Sequence, residues 1–164
     1  LRKILKFKEK TTGYIEERKS EMNLPVDYIA VHIRRGDKIV SREMKELGLS
    51  LYIDAVKEKK HISRNVFIAT DDSSVKDELK SILVAEGFNV YCNTAVTQTG
   101  FDESLFNTKD KKSRYIDTLN MLLDMDILIH SSFFIGTYTS NVSRIVPLYV
   151  GFGKSLSLDD EWKL

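Results

Sequence analysis

This sequence predicts an α/β fold, a parallel sheet covered on both faces by helices. Three observations predict it. Short apolar, β-branched runs alternate along the chain with stretches of helical periodicity. Those runs are continuously apolar, as strands buried on both faces are. Three of the four runs end in polar clusters, where open parallel sheets bind their ligands.

The elements follow in order. Residues 1–22 are charged, with a loose helical stripe of Ile4, Leu5, Phe7, Tyr14 and Ile15, and predict a solvated helix. Asn23-Leu24-Pro25 stops it and turns the chain. Tyr28-Ile29-Ala30-Val31-His32-Ile33 predicts a buried strand, residues 34–50 a polar loop, and Leu51 to Lys60 a helix. Val66-Phe67-Ile68-Ala69 predicts a second strand. Behind it Thr70-Asp71-Asp72-Ser73-Ser74 is rich in N-cap residues, and Val75, Leu79, Ile82 and Leu83 recur at helical spacing.

Phe88-Asn89-Val90-Tyr91 predicts a third strand. Residues 92–112 are polar without periodicity and predict a long loop, a length usually tied to function or mobility. A helix from Ser113 to Leu128 carries the stripe Ile116, Leu119, Leu123, Ile127, and Phe133-Phe134-Ile135-Gly136 predicts the fourth strand. A last helix starts near Ser140, and Pro147 ends or kinks it. This divides the chain into a helix and connector, 1–25, and one domain, 26–164.

Composition narrows the function. The 164 residues suffice for one domain with a real core. Net charge is +1, from 25 Lys and Arg against 24 Asp and Glu, so no global field draws the chain onto nucleic acid or membrane. A bound anion must be gathered by a local cluster. Cys92 is the single cysteine, which excludes an internal disulfide framework and a Cys-rich zinc site. The three histidines, His32, His61 and His130, have no metal-ligand spacing. No apolar run approaches a membrane span and no signal peptide is visible. The start at Leu1 suggests a piece of a longer protein.

Three clusters could carry chemistry. His32-Ile33-Arg34-Arg35-Gly36-Asp37-Lys38 follows a strand and suits a diphosphate. Guanidinium forks pair with phosphate oxygens, Asp37 can hold an arginine, and Gly36 permits close backbone approach. A surface ion-pair loop is the competing reading, and position after a strand makes the two about equal. His32 faces opposite to Val31 and Ile33, and a strand histidine is more often a hydrogen-bonded core residue than a catalyst. Ala69-Thr70-Asp71-Asp72 could hold a metal, fix a hydroxyl or cap the next helix, and capping explains one of the two aspartates. Gly136-Thr137-Tyr138-Thr139-Ser140-Asn141 opens a helix and could be an anion site or a plain cap. Asp117, Asn120 and Asp124 share one side of the helix between them. No Gly-x-Ser-x-Gly and no Walker loop is present.

In order and spacing, Val31 to Lys38, Phe67 to Asp72 and Phe133 to Arg144 resemble the fucosyltransferase superfamily of core α1,6- and rhizobial chitin-oligosaccharide enzymes. Ser157-Leu158-Asp159-Asp160-Glu161-Trp162 is similar to the tail of that catalytic domain, so coverage runs from about residue 28 to the end. The resemblance implies a Rossmann-like domain, one half of a GT-B-like glycosyltransferase, using GDP-fucose and transferring fucose with inversion onto a glycan hydroxyl. It implies no metal and no cofactor beyond the donor.

His32, Arg34, Arg35 and Ser140, flanked by Asn141, would hold the diphosphate, with Asp37 and Lys38 beside them. Asp124 would read guanine, and Asp71 and Asp72 match the family's paired aspartates, with Thr70 before them also counted as substrate-binding. In that family the general base is a glutamate shortly after the Asp-Lys pair. The expected spacing lands on Arg42, so Glu43 is assigned and Glu46 stays open; Arg34 and Lys38 complete the catalytic set. Two other readings remain: a GDP-sugar-binding module without activity, or a transferase using another GDP-sugar. The expected partners are the donor and a glycan acceptor, with no nucleic acid, no direct membrane contact in this segment, and a missing N-terminal half. A Golgi lumen with the anchor elsewhere, or a bacterial cytoplasm, fits the resemblance.

Overall fold

The computed structural model describes residues 7–36, 41, 46–95 and 97–162. The sheet is five-stranded and wholly parallel, in the order β3-β2-β1-β4-β5. Its strands are β1 (Ile29–Ile33), β2 (Asn65–Thr70), β3 (Asn89–Cys92), β4 (Phe133–Gly136) and β5 (Ser155–Ser157). Strand order reverses between β1 and β4, so a crevice is expected at their carboxyl ends. The helices are α1 (Glu9–Met22), α2 (Leu49–Glu58), α3 (Ser73–Ala85), α4 (Glu103–Thr108), α5 (Lys111–Ile129), α6 (Asn141–Ile145) and α7 (Pro147–Val150).

Alternation along the strands feeds two cores. Ile29, Val31 and Ile33 join Val66, Ile68 and Ile135 under Tyr52 and Val56 of α2 and Leu79 and Leu83 of α3. Ala30, Phe67 and Phe134 point the other way, under Ile15 of α1 and Leu123, Ile127 and Leu128 of α5. Both sheet faces are thus dry, which is why the strands read as unbroken apolar runs. Tyr14 donates to Asn120 at 3.0 Å and Lys19 pairs with Asp126 at 2.9 Å, docking α1 on α5.

The structure corrects three expectations. α2 begins at Leu49, two residues early, and ends at Glu58. The long segment after β3 is not all loop: Asp102 caps α4 and Asp110 caps α5. The tail supplies an edge strand, β5, paired to β4. The break expected at Pro147 is present: α6 ends at Ile145 and Pro147 opens α7, proline being tolerated at a first helical position.

Candidate functional site

A cavity of about 870 Å³ opens at the carboxyl ends of β1 and β2 and beside the start of α6. Its walls include His32, Arg34, Thr70, Asp71, Phe101, Asp117, Asn120, Asp124, Ser140, Asn141 and Arg144. That volume suits a ligand of drug or nucleotide size. A second hollow of about 760 Å³ runs along residues 155–162 and is lined by none of the candidate site residues.

Asp71 organises one wall. Its Oδ2 accepts from Arg34 Nη1 at 2.7 Å and from the Phe101 backbone N–H at 2.9 Å. Its Oδ1 accepts the Arg35 N–H at 2.7 Å. Both carboxylate oxygens are therefore engaged, and one residue ties the β1 loop, the β2 loop and the segment before α4. Gly36 makes this possible in a way the sequence did not suggest. At φ +70° a Cβ there would lie 2.3 Å from the Phe101 carbonyl oxygen, and one on Gly100 would lie 2.6 Å from Gly36 Cα. The close approach is between two protein loops, and only glycine fits on either side.

The adjacent arginines part company. Arg34 faces the cavity, stacked with its guanidinium 5.1 Å from the Phe101 ring. Arg35 is buried elsewhere: its Nη2 donates to the Leu47 carbonyl at 2.9 Å and its Nε lies 3.7 Å from Glu46. Of the two arginines expected at a diphosphate site, Arg34 borders the cavity and Arg35 does not, because neighbouring residues after a strand point to opposite sides. Asp72 is likewise placed outside the cavity. It caps α3, accepting from Ser74 N at 2.9 Å and Val75 N at 3.3 Å. Glu46 is exposed and does not line the cavity either. Asp37, Lys38 and Glu43 lie outside the described residues.

His32 is buried with Nδ1 2.7 Å from Ser143 Oγ. Burial, reinforced by the Arg34 charge, lowers its pKa to about 3, so the ring is neutral at physiological pH. Ser143 went unnoticed in the sequence, although it lies one helical turn beyond Ser140 and so on the same face. The turn carrying Ser140 is pinned by Asp159, which accepts the backbone N–H of Tyr138 at 2.6 Å and of Thr139 at 3.2 Å. Arg144 and Lys109 also border the cavity, bonded to Asn141 and Asp117 at 2.7 Å each.

Asp124 carries the most informative electrostatics. Its Oδ1 is shut off from solvent without a hydrogen-bond partner, in a side chain that borders the cavity. Burial pushes the carboxyl up to about 7, with the Asn93 amide pulling the other way. Such an oxygen is stabilised by an incoming N–H donor. Among the described residues, no three His, Cys, Asp or Glu converge to hold a metal ion. No described helix is long and apolar enough to cross a membrane.

An open parallel sheet with a cavity at its switch point defines a Rossmann-like domain, of the kind seen in GT-B fucosyltransferases. Residues 1–148 match the family described as alpha-(1,6)-fucosyltransferase N- and catalytic domains, and the chain belongs to that family. NodZ alpha-1,6-fucosyltransferase co-crystallised with GDP aligns with a TM-score of 0.58 at 21% identity, covering 88% of this chain and 43% of that one. NodZ from Bradyrhizobium in its selenomethionine form aligns at 0.59 and 21%, with the same coverages. POFUT1 in complex with GDP aligns at 0.61 with 16% identity, covering 93% of this chain and 47% of that one. Likeness at these identities speaks to the fold. The chain spans less than half the length of each of these structures. No curated protein matches it.

Proposed function

We propose that this chain is the donor-binding part of an inverting fucosyltransferase that moves fucose from GDP-fucose to a glycan hydroxyl. One observation carries the reading: a single cavity holds both a guanidinium, Arg34, and a buried carboxylate oxygen without a partner, on Asp124. A guanidinium fork suits a diphosphate and a carboxylate suits the adjacent N–H groups of a guanine edge. Family membership supports a fucosyl donor, and relatives solved with GDP and with GDP-fucose support this class of ligand.

The chemistry follows from that placement. A base takes the proton of the acceptor hydroxyl as its oxygen attacks the anomeric carbon from the face opposite the diphosphate. The bond from that carbon to the phosphate oxygen breaks, GDP leaves, and configuration inverts. Arg34 and Lys38 would offset the charge that develops on the leaving diphosphate, the work a divalent cation does elsewhere. Hence the reaction would need no metal, the more so because both oxygens of Asp71 already accept protein donors. Glu43 is proposed as the base; Glu46 sits beside Arg35 instead.

Fucose transfer by the full-length protein, assayed with GDP-fucose and with GDP-mannose, tests the reading. Transfer from GDP-fucose that vanishes in Glu43→Gln, with GDP binding retained, supports it. GDP binding without any sugar transfer would make the chain a binding module. Preference for GDP-mannose would name a different donor.

A further inference from the structure

We propose that Phe101 is a positioning residue for Arg34, holding its guanidinium in the cavity against the Asp71 carboxylate. The inference rests on the reading of Arg34 as a diphosphate ligand. Phe101 sits in the segment before α4 and belongs to neither hydrophobic core. Its ring is half-buried at the cavity wall, 5.1 Å from the guanidinium on one side and 5.5 Å from the Phe106 ring on the other. Packing into the domain interior therefore does not account for an aromatic residue here, whereas stacking on Arg34 does.

The stack is built into the backbone. Arg34 Nη1 and the Phe101 N–H donate to the same oxygen, Asp71 Oδ2, at 2.7 and 2.9 Å. The guanidinium and the backbone that carries the ring thus share one anchor. Gly100 N donates to the Asp71 carbonyl at 3.0 Å, and Ser73 N to the Gln98 carbonyl at 2.8 Å, stitching the segment to the end of β2. The interlock of Gly36 with Gly100 sets the spacing of the two loops. An arginine has many rotamers to lose on binding an anion. A carboxylate and a ring face that already hold it reduce that loss and raise affinity without either touching the ligand.

The test is GDP titration calorimetry on the chain carrying Phe101→Leu, Phe101→Tyr, Arg34→Ala and the double variant Arg34→Ala/Phe101→Leu. Phe101→Leu is expected to weaken GDP about five- to tenfold, the range of a partly desolvated cation–π contact. Phe101→Tyr, which keeps the ring face, is expected to stay within about twofold, and Phe101→Leu to add under about twofold once Arg34 is gone. Equal losses from Phe101→Leu with and without Arg34 would show a merely structural role and overturn the inference. Should the leucine variant fail to fold, a tenfold loss in Phe101→Tyr would overturn it as well. Unchanged GDP affinity in Arg34→Ala alone would remove the diphosphate reading itself, a result separable from the other two.

Discussion

At the residue scale, two neighbours of identical chemistry have different tasks. Arg34→Ala is expected to weaken GDP binding by about 1.5–3 kcal/mol, the worth of a charge-assisted contact. Arg35→Ala is expected to act on the fold instead, because its guanidinium is spent on the Leu47 carbonyl and Glu46. Calorimetry and urea unfolding on both variants separate the two effects, and a larger GDP loss in Arg35→Ala would reverse the assignment.

Asp124 offers a second residue-level test. Unfolded, its carboxyl titrates at 3.8; folded, at about 7. Between those values the native state keeps a proton that the unfolded chain has released. Its contribution to stability therefore falls as pH rises through that window and is level above it. Asp124→Asn is expected to remove that fall, seen as a smaller stability difference between about pH 5 and about pH 8 than in the parent chain. A donor base that offers N–H groups prefers the ionised carboxylate. GDP affinity of the parent chain is then expected to drop below about pH 7, by up to about tenfold per unit, and Asp124→Asn to lose this dependence. A flat pH profile in the parent chain would contradict the role given to Asp124.

At the element scale, the cap of α3 is cleanly separable from the site. Asp72 is engaged by Ser74 and Val75 and does not border the cavity. Asp72→Ala is expected to cost about 1 kcal/mol, read from urea unfolding, and to leave GDP affinity unchanged. A matching loss of affinity would return Asp72 to the site. The strands and most helices were legible because burial on two faces imposes unbroken β-branched runs, and one-sided burial imposes a 3.6-residue stripe. α4 escaped notice because its six residues are too few to show a period, although Asp102 and Asp110 are N-cap signals that mark it and α5. β5 was missed for a related reason. Its three residues, Ser155, Leu156 and Ser157, are only half-buried at a sheet edge, so the apolar signature of a strand is absent.

At the scale of the whole molecule, the domain brings five segments distant in sequence to one cavity. GDP affinity is expected to be the same in excess chelator as with magnesium or manganese, since Arg34 supplies positive charge at the site. A tenfold gain on adding metal, about 1.4 kcal/mol, would overturn this and recast Asp71 as a ligand.

The sequence by itself determined the α/β class and the three polar clusters at strand ends whose members border the cavity. These are local properties: hydrophobic period, capping chemistry and residue type are written in short windows. Tertiary structure alone decided which member of each pair faces the cavity. Arg34 and Arg35, and Asp71 and Asp72, are adjacent in the chain and alike in chemistry, so no window distinguishes them. What separates them is the partner each meets across the fold: Phe101 for Arg34, Leu47 for Arg35, and the Gly36–Gly100 interlock beside Asp71. The raised pKa of Asp124 is decided in the same way, because it arises from the burial that packing α5 beneath the site imposes.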